Sequence, residues 1–222
     1  MFGRDPTDPG RLRIKICGVT NARDAEAAIE AGADALGFNF FSGSKRFLVL
    51  RKAADWIARL PAATGRIGVL VNPHFDEATG IARLPYITGL QLHGSEPEEF
   101  CARLNGEGIQ FAKALPVAHS ESLDHLPSYG TPFLVLDSVS AGLFGGSGKI
   151  FSWEIARRFV EAHPQARVIL AGGLTPENVA EAVAEVRPFG VDVTTGAEAS
   201  PGQKDHGRLR AFIQAAREAS SL

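Results

Sequence analysis

Short apolar runs recur along this chain at intervals of about 25 residues, each followed by a stretch with helical spacing, and no other feature constrains the fold as much. The runs are Leu12–Gly18, Ala35–Phe40, Arg66–Val71, Thr88–His93, Gln110–Leu115, Pro132–Asp137, Arg167–Ala171 and Gly190–Val193. They are strand-length and mostly apolar, as strands covered on both faces are. The intervening segments carry helix signals. Thr20 or Asn21 caps a helix stopped by Gly32, and others run over about Arg51–Leu60, to Arg83, over Ser95–Leu104, Trp153–His163 and Asp205–Ala219. Ser95 and Glu98 have capping-box spacing, and Thr175 precedes Pro176 as an N-cap precedes a first-turn proline. The segment after the fifth strand is weakest, because Pro116 and Pro127 bracket only Ser120–Leu126.

Eight strand-then-helix units predict an α/β fold, a single (β/α)8 barrel of the TIM type with an irregular fifth helix. A flavodoxin-like open sheet is the competing fold and requires one or two of these strands to be misread. Residues 1–11 read as a flexible N-terminal leader, rich in Pro, Asp and Gly, and 12–222 as the barrel, which leaves no room for a second domain.

The formal net charge is −2, with no basic cluster, so neither nucleic acid nor an anionic membrane is an expected partner and the ligand is expected to be small. Cys17 and Cys101 lie far apart in no metal-like spacing, which points to a reducing compartment and to no bound metal. Without a signal-peptide core or a membrane-length run, the expected location is the cytoplasm.

On the first strand, residues two apart share a face, so Lys15 and Cys17 point one way and Ile14 and Ile16 the other. If the isoleucines meet the helices, a lysine and a thiol face the interior. A cation beneath a thiol favours the reactive thiolate. In the bland alternative Cys17 is a small hydrophobe and Lys15 snorkels out. The last inward residues of the other strands extend the polar theme: Asn39, Asn72, His93 above Gln91, Asp137, and Asp192 or Thr194. Singly these read as turn residues and caps. Together they form a polar crown at the C-terminal rim, where barrels carry their chemistry. Asp192, inward on the last strand beside the first, is the expected counter-ion of Lys15.

Two glycine turns, Gly172-Gly173 and Thr195-Gly196, follow the seventh and eighth strands, where barrels commonly bind phosphate through bare backbone N–H groups. The loop Gly145-Gly146-Ser147-Gly148 lacks the lysine of a P-loop and reads as a flexible cover bringing amides to the same phosphate. Arg46, in a loop over the mouth, has the fork that grips a carboxylate.

Lys15-Ile-Cys-Gly-Val-Thr, Gly37-Phe-Asn-Phe with Ser44-Lys-Arg46, Gly68-Val-Leu-Val-Asn72, Gln91-Leu-His-Gly94, Leu136-Asp137 with Gly145–Gly148, Leu170-Ala-Gly-Gly-Leu-Thr-Pro-Glu-Asn178 and Gly190-Val-Asp-Val resemble the phosphoribosylanthranilate isomerases of tryptophan biosynthesis. The resemblance runs in order from about Arg13 to the last helix. It implies an Amadori rearrangement of a phosphorylated aminosugar without a cofactor, by a monomer or homodimer. By the same resemblance Cys17 is the general base, Asp137 the general acid, and Arg46 the holder of the anthranilate carboxylate. His93, Gln91, Gly172, Gly173, Thr195, Gly196, Gly146 and Ser147 complete the substrate site, supported by Lys15 and Asp192. The chemistry requires a thiolate at Cys17, which Lys15 favours, and a protonated Asp137, which burial favours. Other readings are a different phosphosugar aminoaldose isomerase on the same barrel, or a non-catalytic phosphate-binding barrel. Lys45 stands where the family usually has proline, which predicts a less firmly held Arg46. Ser152 replaces the usual Asp or Asn, and Thr194-Thr195 the usual serine pair.

Overall fold

The computed structural model describes residues 10–117, 128–138 and 152–220. Strands β1 (Arg13–Cys17), β2 (Ala35–Asn39), β3 (Gly65–Leu70), β4 (Gly89–Leu92), β5 (Phe111–Val117), β6 (Phe133–Ser138), β7 (Arg167–Leu170) and β8 (Gly190–Val193) close into a parallel barrel in sequence order. The ring is completed by β1, which pairs with β2 on one side and β8 on the other. Seven helices are present among the described residues: α1 (Ala22–Glu30), α2 (Leu50–Ala58), α3 (Phe75–Ala82), α4 (Glu98–Gly106), α5 (Trp153–Ala162), α6 (Val179–Val186) and α7 (His206–Ala219). The predicted fifth helix, Ser120–Leu126, and the loop Gly145–Gly148 lie outside the described residues, as does most of the predicted leader. Arg11, at the end of that predicted leader, donates to Asp34 at 2.8 Å. No described helix is long and apolar enough to cross a membrane.

The period-two pattern of the strands builds two separate cores. Outward residues, among them Ile14, Ile16, Leu36, Phe38, Leu90, Leu92, Leu136, Leu170 and Val191, pack against the helices. The barrel interior is filled by Ala35, Ile67, Ala112, Ala114, Val135, Ile169 and Ala171, an inner set kept small because eight strands crowd one axis. Each fully enclosed Ile or Leu contributes about 1.5–3 kcal/mol.

Local chemistry explains where some helices begin. Asn21 Oδ1 accepts the Asp24 backbone N–H at 2.9 Å and starts α1, while Asp205 accepts from Gly207 and Arg208 N–H and starts α7. Two predicted starts differ. No Ser95–Glu98 capping box forms, because Ser95 N–H donates to Asn72 Oδ1 at 2.7 Å and α4 begins only after Pro97. The helix expected from Thr175 begins at Val179, because Asn178 bridges Thr175 N–H and the Gly173 carbonyl and holds that stretch as a turn. A short hairpin, β9 (Glu198–Ser200) and β10 (Gln203–Lys204), stands between β8 and α7 and has no counterpart in the predicted elements.

Candidate active site

The register of the closed barrel sets Lys15 against Asp192, and Lys15 Nζ donates to Asp192 Oδ2 at 2.6 Å. Lys15 is completely enclosed. Burial works to lower its pKa, but Asp192 and then Cys17 outweigh that and raise it, so the ammonium stays charged. Cys17 is the last residue of β1, and opposite it in β2 stands Gly37. Its thiol occupies the space that a Gly37 side chain would take.

Asp137 projects from the end of β6, across the mouth from β1, so the thiol and the carboxyl belong to one rim. His93 Nε2 lies 3.2 Å from Asp137 Oδ2. Beneath it, Gln91 Nε2 donates to His93 Nδ1 at 2.7 Å. With the Gln91 amide in this orientation Nδ1 accepts, which places the ring proton on Nε2, facing Asp137. Asp137 Oδ1 is buried with no hydrogen-bond partner among the described residues. Gly172, with φ +78°, packs so closely that a Cβ there would lie 2.7 Å from this oxygen. The β7 and β8 turns adjoin, with Gly196 against the Leu174 carbonyl and Thr175. The structure thus brings Gly172, Gly173, Thr195 and Gly196 to one side of the mouth, while Gly146 and Ser147 lie outside the described residues.

The rest of the predicted crown is scaffold. Asn39 Oδ1 accepts from Phe41 N–H and its Nδ2 donates to Ser44 Oγ, while Ser44 Oγ also accepts Arg46 N–H, so the loop carrying Arg46 is tied to the end of β2. Asn72 takes a left-handed turn with φ +47°. Glu96 is missing from the sequence reading yet organises this sector: its carboxylate accepts from Asn72 and Gly94 N–H and pairs with Lys113 at 2.8 Å. That buried pair locks the turn directly after His93. Its sequence signal was an acid beside a strand-end glycine, misread as part of a helix start.

Arg46 departs from the expected weak hold. Nε donates to Glu198 Oε1 at 2.8 Å and Nη2 to Glu198 Oε2 at 2.6 Å, a two-pronged, partly buried pair. Glu198 and Lys204 are further residues that the sequence reading missed. Lys204 Nζ donates to the Cys17 carbonyl at 2.6 Å, the Thr194 carbonyl and Glu198. Among the described residues, no group of His, Cys, Asp and Glu is arranged to hold a metal ion.

Comparison with known proteins bears on this geometry. The family model described as N-(5'phosphoribosyl)anthranilate (PRA) isomerase matches residues 14–215. An N-(5'-phosphoribosyl)anthranilate isomerase of Geotalea uraniireducens is 43% identical over 205 residues, covering 92% of this chain and 98% of the relative. The solved phosphoribosyl anthranilate isomerase of Thermotoga maritima superposes with a TM-score of 0.85 at 39% identity, covering 93% of this chain and 99% of that one. A phosphoribosyl anthranilate isomerase solved in complex with reduced 1-(o-carboxyphenylamino)-1-deoxyribulose 5-phosphate has a TM-score of 0.81 at 36% identity, with coverage of 93% and 99%. With the match spanning the barrel from its first strand to its last helix, the chain belongs to the phosphoribosylanthranilate isomerase family.

Proposed function

We propose that this chain converts N-(5-phosphoribosyl)anthranilate to 1-(2-carboxyphenylamino)-1-deoxyribulose 5-phosphate in tryptophan biosynthesis, with Cys17 as general base and Asp137 as general acid. One observation carries the assignment of roles. A thiol above a buried charged lysine and a carboxyl backed by an imidazole stand at the same rim on strands across the mouth.

The chemistry needs that pair. Asp137 gives a proton to the furanose ring oxygen as the C1–O bond breaks, and the anilino nitrogen lone pair closes a C1=N iminium. Cys17, as thiolate, then takes the C2 proton, and the released electron pair forms the C1=C2 bond of an enolamine while nitrogen becomes neutral. Loss of the C2 hydroxyl proton and protonation at C1 give the ketone. Only protons move, and substrate and product are isomers.

The other residues take complementary roles in this reading. His93 donates its Nε2 proton to Asp137 Oδ2, leaving Oδ1 toward the sugar, and Gln91 fixes that tautomer. Gly172, Gly173, Thr195 and Gly196 hold the phosphate, joined by Gly146 and Ser147. Arg46 holds the anthranilate carboxylate. Lys15, neutralised by Asp192, keeps positive charge beneath the thiol.

Loss of anthranilate fluorescence reports the conversion, with the histidine-pathway aminoaldose as control substrate. Cys17→Ser and Asp137→Asn should each lower kcat by about 10²–10⁴-fold. Both should bind the reduced product analogue about as well as the parent. Turnover within tenfold of the parent in either variant would remove that residue from its role.

A further inference from the structure

Arginine presents two bidentate edges, the side-on edge of Nε and Nη2 and the end-on edge of Nη1 and Nη2. In Arg46 the side-on edge is taken by Glu198. On the end-on edge, the second Nη2 hydrogen reaches Thr195 Oγ1 at 3.2 Å, the longest of the three Arg46 side-chain bonds and an exposed one that a carboxylate displaces, and Nη1 has no hydrogen bond to a described residue. The stem of the side chain crosses β1's end, where a Cβ on Gly18 would lie 2.5 Å from Arg46 Cδ. Glu198 is itself fixed. It sits at the start of β9, accepts from Gly202 N–H at 3.2 Å, and meets Lys204 opposite it in β10. The side chain of Glu198 is 2% exposed and that of Arg46 13%, so water competes little for either.

We infer that Glu198 is a positioning residue for substrate specificity: by holding the side-on edge of Arg46, it aims the end-on edge at the substrate's aromatic carboxylate. This rests on the proposed role of Arg46. The β9–β10 hairpin delivers the acid to the guanidinium, and the same acid links Arg46, through Lys204, to the carbonyl of Cys17. A guanidinium held on one edge by a carboxylate also carries little surplus charge, which suits a planar monoanion better than a second phosphate. The proline absent at position 45 is thereby offset by a two-pronged clamp from another strand.

The test compares dissociation constants, by calorimetry, for two stable amines: the reduced product analogue and the same compound made from aniline, which lacks the carboxylate. Their ratio measures carboxylate discrimination, and a general loosening of the barrel moves both constants together. In Arg46→Ala the ratio should collapse toward one. In Glu198→Gln, which keeps size and one hydrogen bond, the ratio should fall about tenfold while binding of the aniline compound changes less than twofold. A ratio unchanged in Glu198→Gln but collapsed in Arg46→Ala would overturn the inference and leave the Arg46 assignment standing. A ratio unchanged in Arg46→Ala would overturn both. If Glu198→Gln fails to fold, Glu198→Asp, which retracts the charge by one methylene, should lower the ratio likewise.

Discussion

Position 37 is crowded against any side chain, and the reason lies on the neighbouring strand. The Cys17–Gly37 pair in the β1–β2 register sets the thiol over bare backbone, so an added Cβ would lie 2.7 Å from Cys17 Sγ and 3.1 Å from Lys15 Cε. The first contact is closer than packed atoms allow and the second is tight, and both involve groups that the proposed base needs in place. Gly37→Ala should therefore act on chemistry before it acts on folding. Displacing the sulfur by a fraction of an ångström to 1 Å should lower kcat by about 10²-fold. The overpacking cost should stay near 1–3 kcal/mol. Steady-state kinetics beside urea denaturation separate the two, and a variant with parental kcat would show that the thiol needs no such clearance. Cys17 and Lys15 were legible from alternation on one short strand. Gly37 was not argued from the sequence, because its meaning depends on which residue the register places beside it.

Among the elements, the first and last helices are joined through a single acid. Asp24 of α1 accepts from Lys204 N–H at 2.9 Å and from Asn21 Nδ2, and it lies 2.8 Å from His206 Nε2 at the start of α7. Burial works to raise its pKa, but the Lys204 amide, His206 and Asn21 outweigh that and lower it. A carboxyl with a depressed folded-state pKa stabilises fully above the ordinary carboxylate range and loses that contribution as pH falls through the folded value. Asp24→Asn should thus cost about 1–3 kcal/mol at pH 7. The gap should narrow as the pH drops below about 4. Urea midpoints at pH 7 and pH 3.5 decide it, and a pH-independent gap would show that shape rather than charge matters there. The same elements show why sequence reading stops where it does. The start of α1 was legible because Asn21 and Asp24 are three residues apart. The start of α4 was not, because the fate of Glu96 is set by Lys113 on the next strand. Hairpin β9–β10 has strands too short to alternate, so Glu198 and Lys204 gave no pattern, only an acid and a lysine flanking Pro201-Gly202.

At the scale of the whole barrel, the two rims do different work. The order of eight strands was legible because each apolar run announces itself locally, whereas the group that fastens the ends of the chain together was hidden, since its partners are far apart in sequence. That group is Asp34, at the start of β2 on the rim opposite Cys17 and Asp137. It accepts from Ile14 N–H at 2.8 Å, from Arg11 at 2.8 Å and from Arg217 of α7 at 2.7 Å, with Arg13 at 3.9 Å. Arg217 also donates to the carbonyls of Leu12 and Gly32, so the last helix is tied to the first strand beneath the closing β1–β8 seam. Asp34→Asn keeps the shape but leaves three arginines facing a neutral amide, and should destabilise the barrel by about 3 kcal/mol. Because residues of the lower rim serve stability and those of the upper rim chemistry, kcat and KM measured well below the melting transition should stay within twofold of the parent. Thermal unfolding and steady-state kinetics on one preparation test both halves. A loss of kcat without a fall in melting temperature would mean that the lower rim reaches the sugar-binding end through the strands.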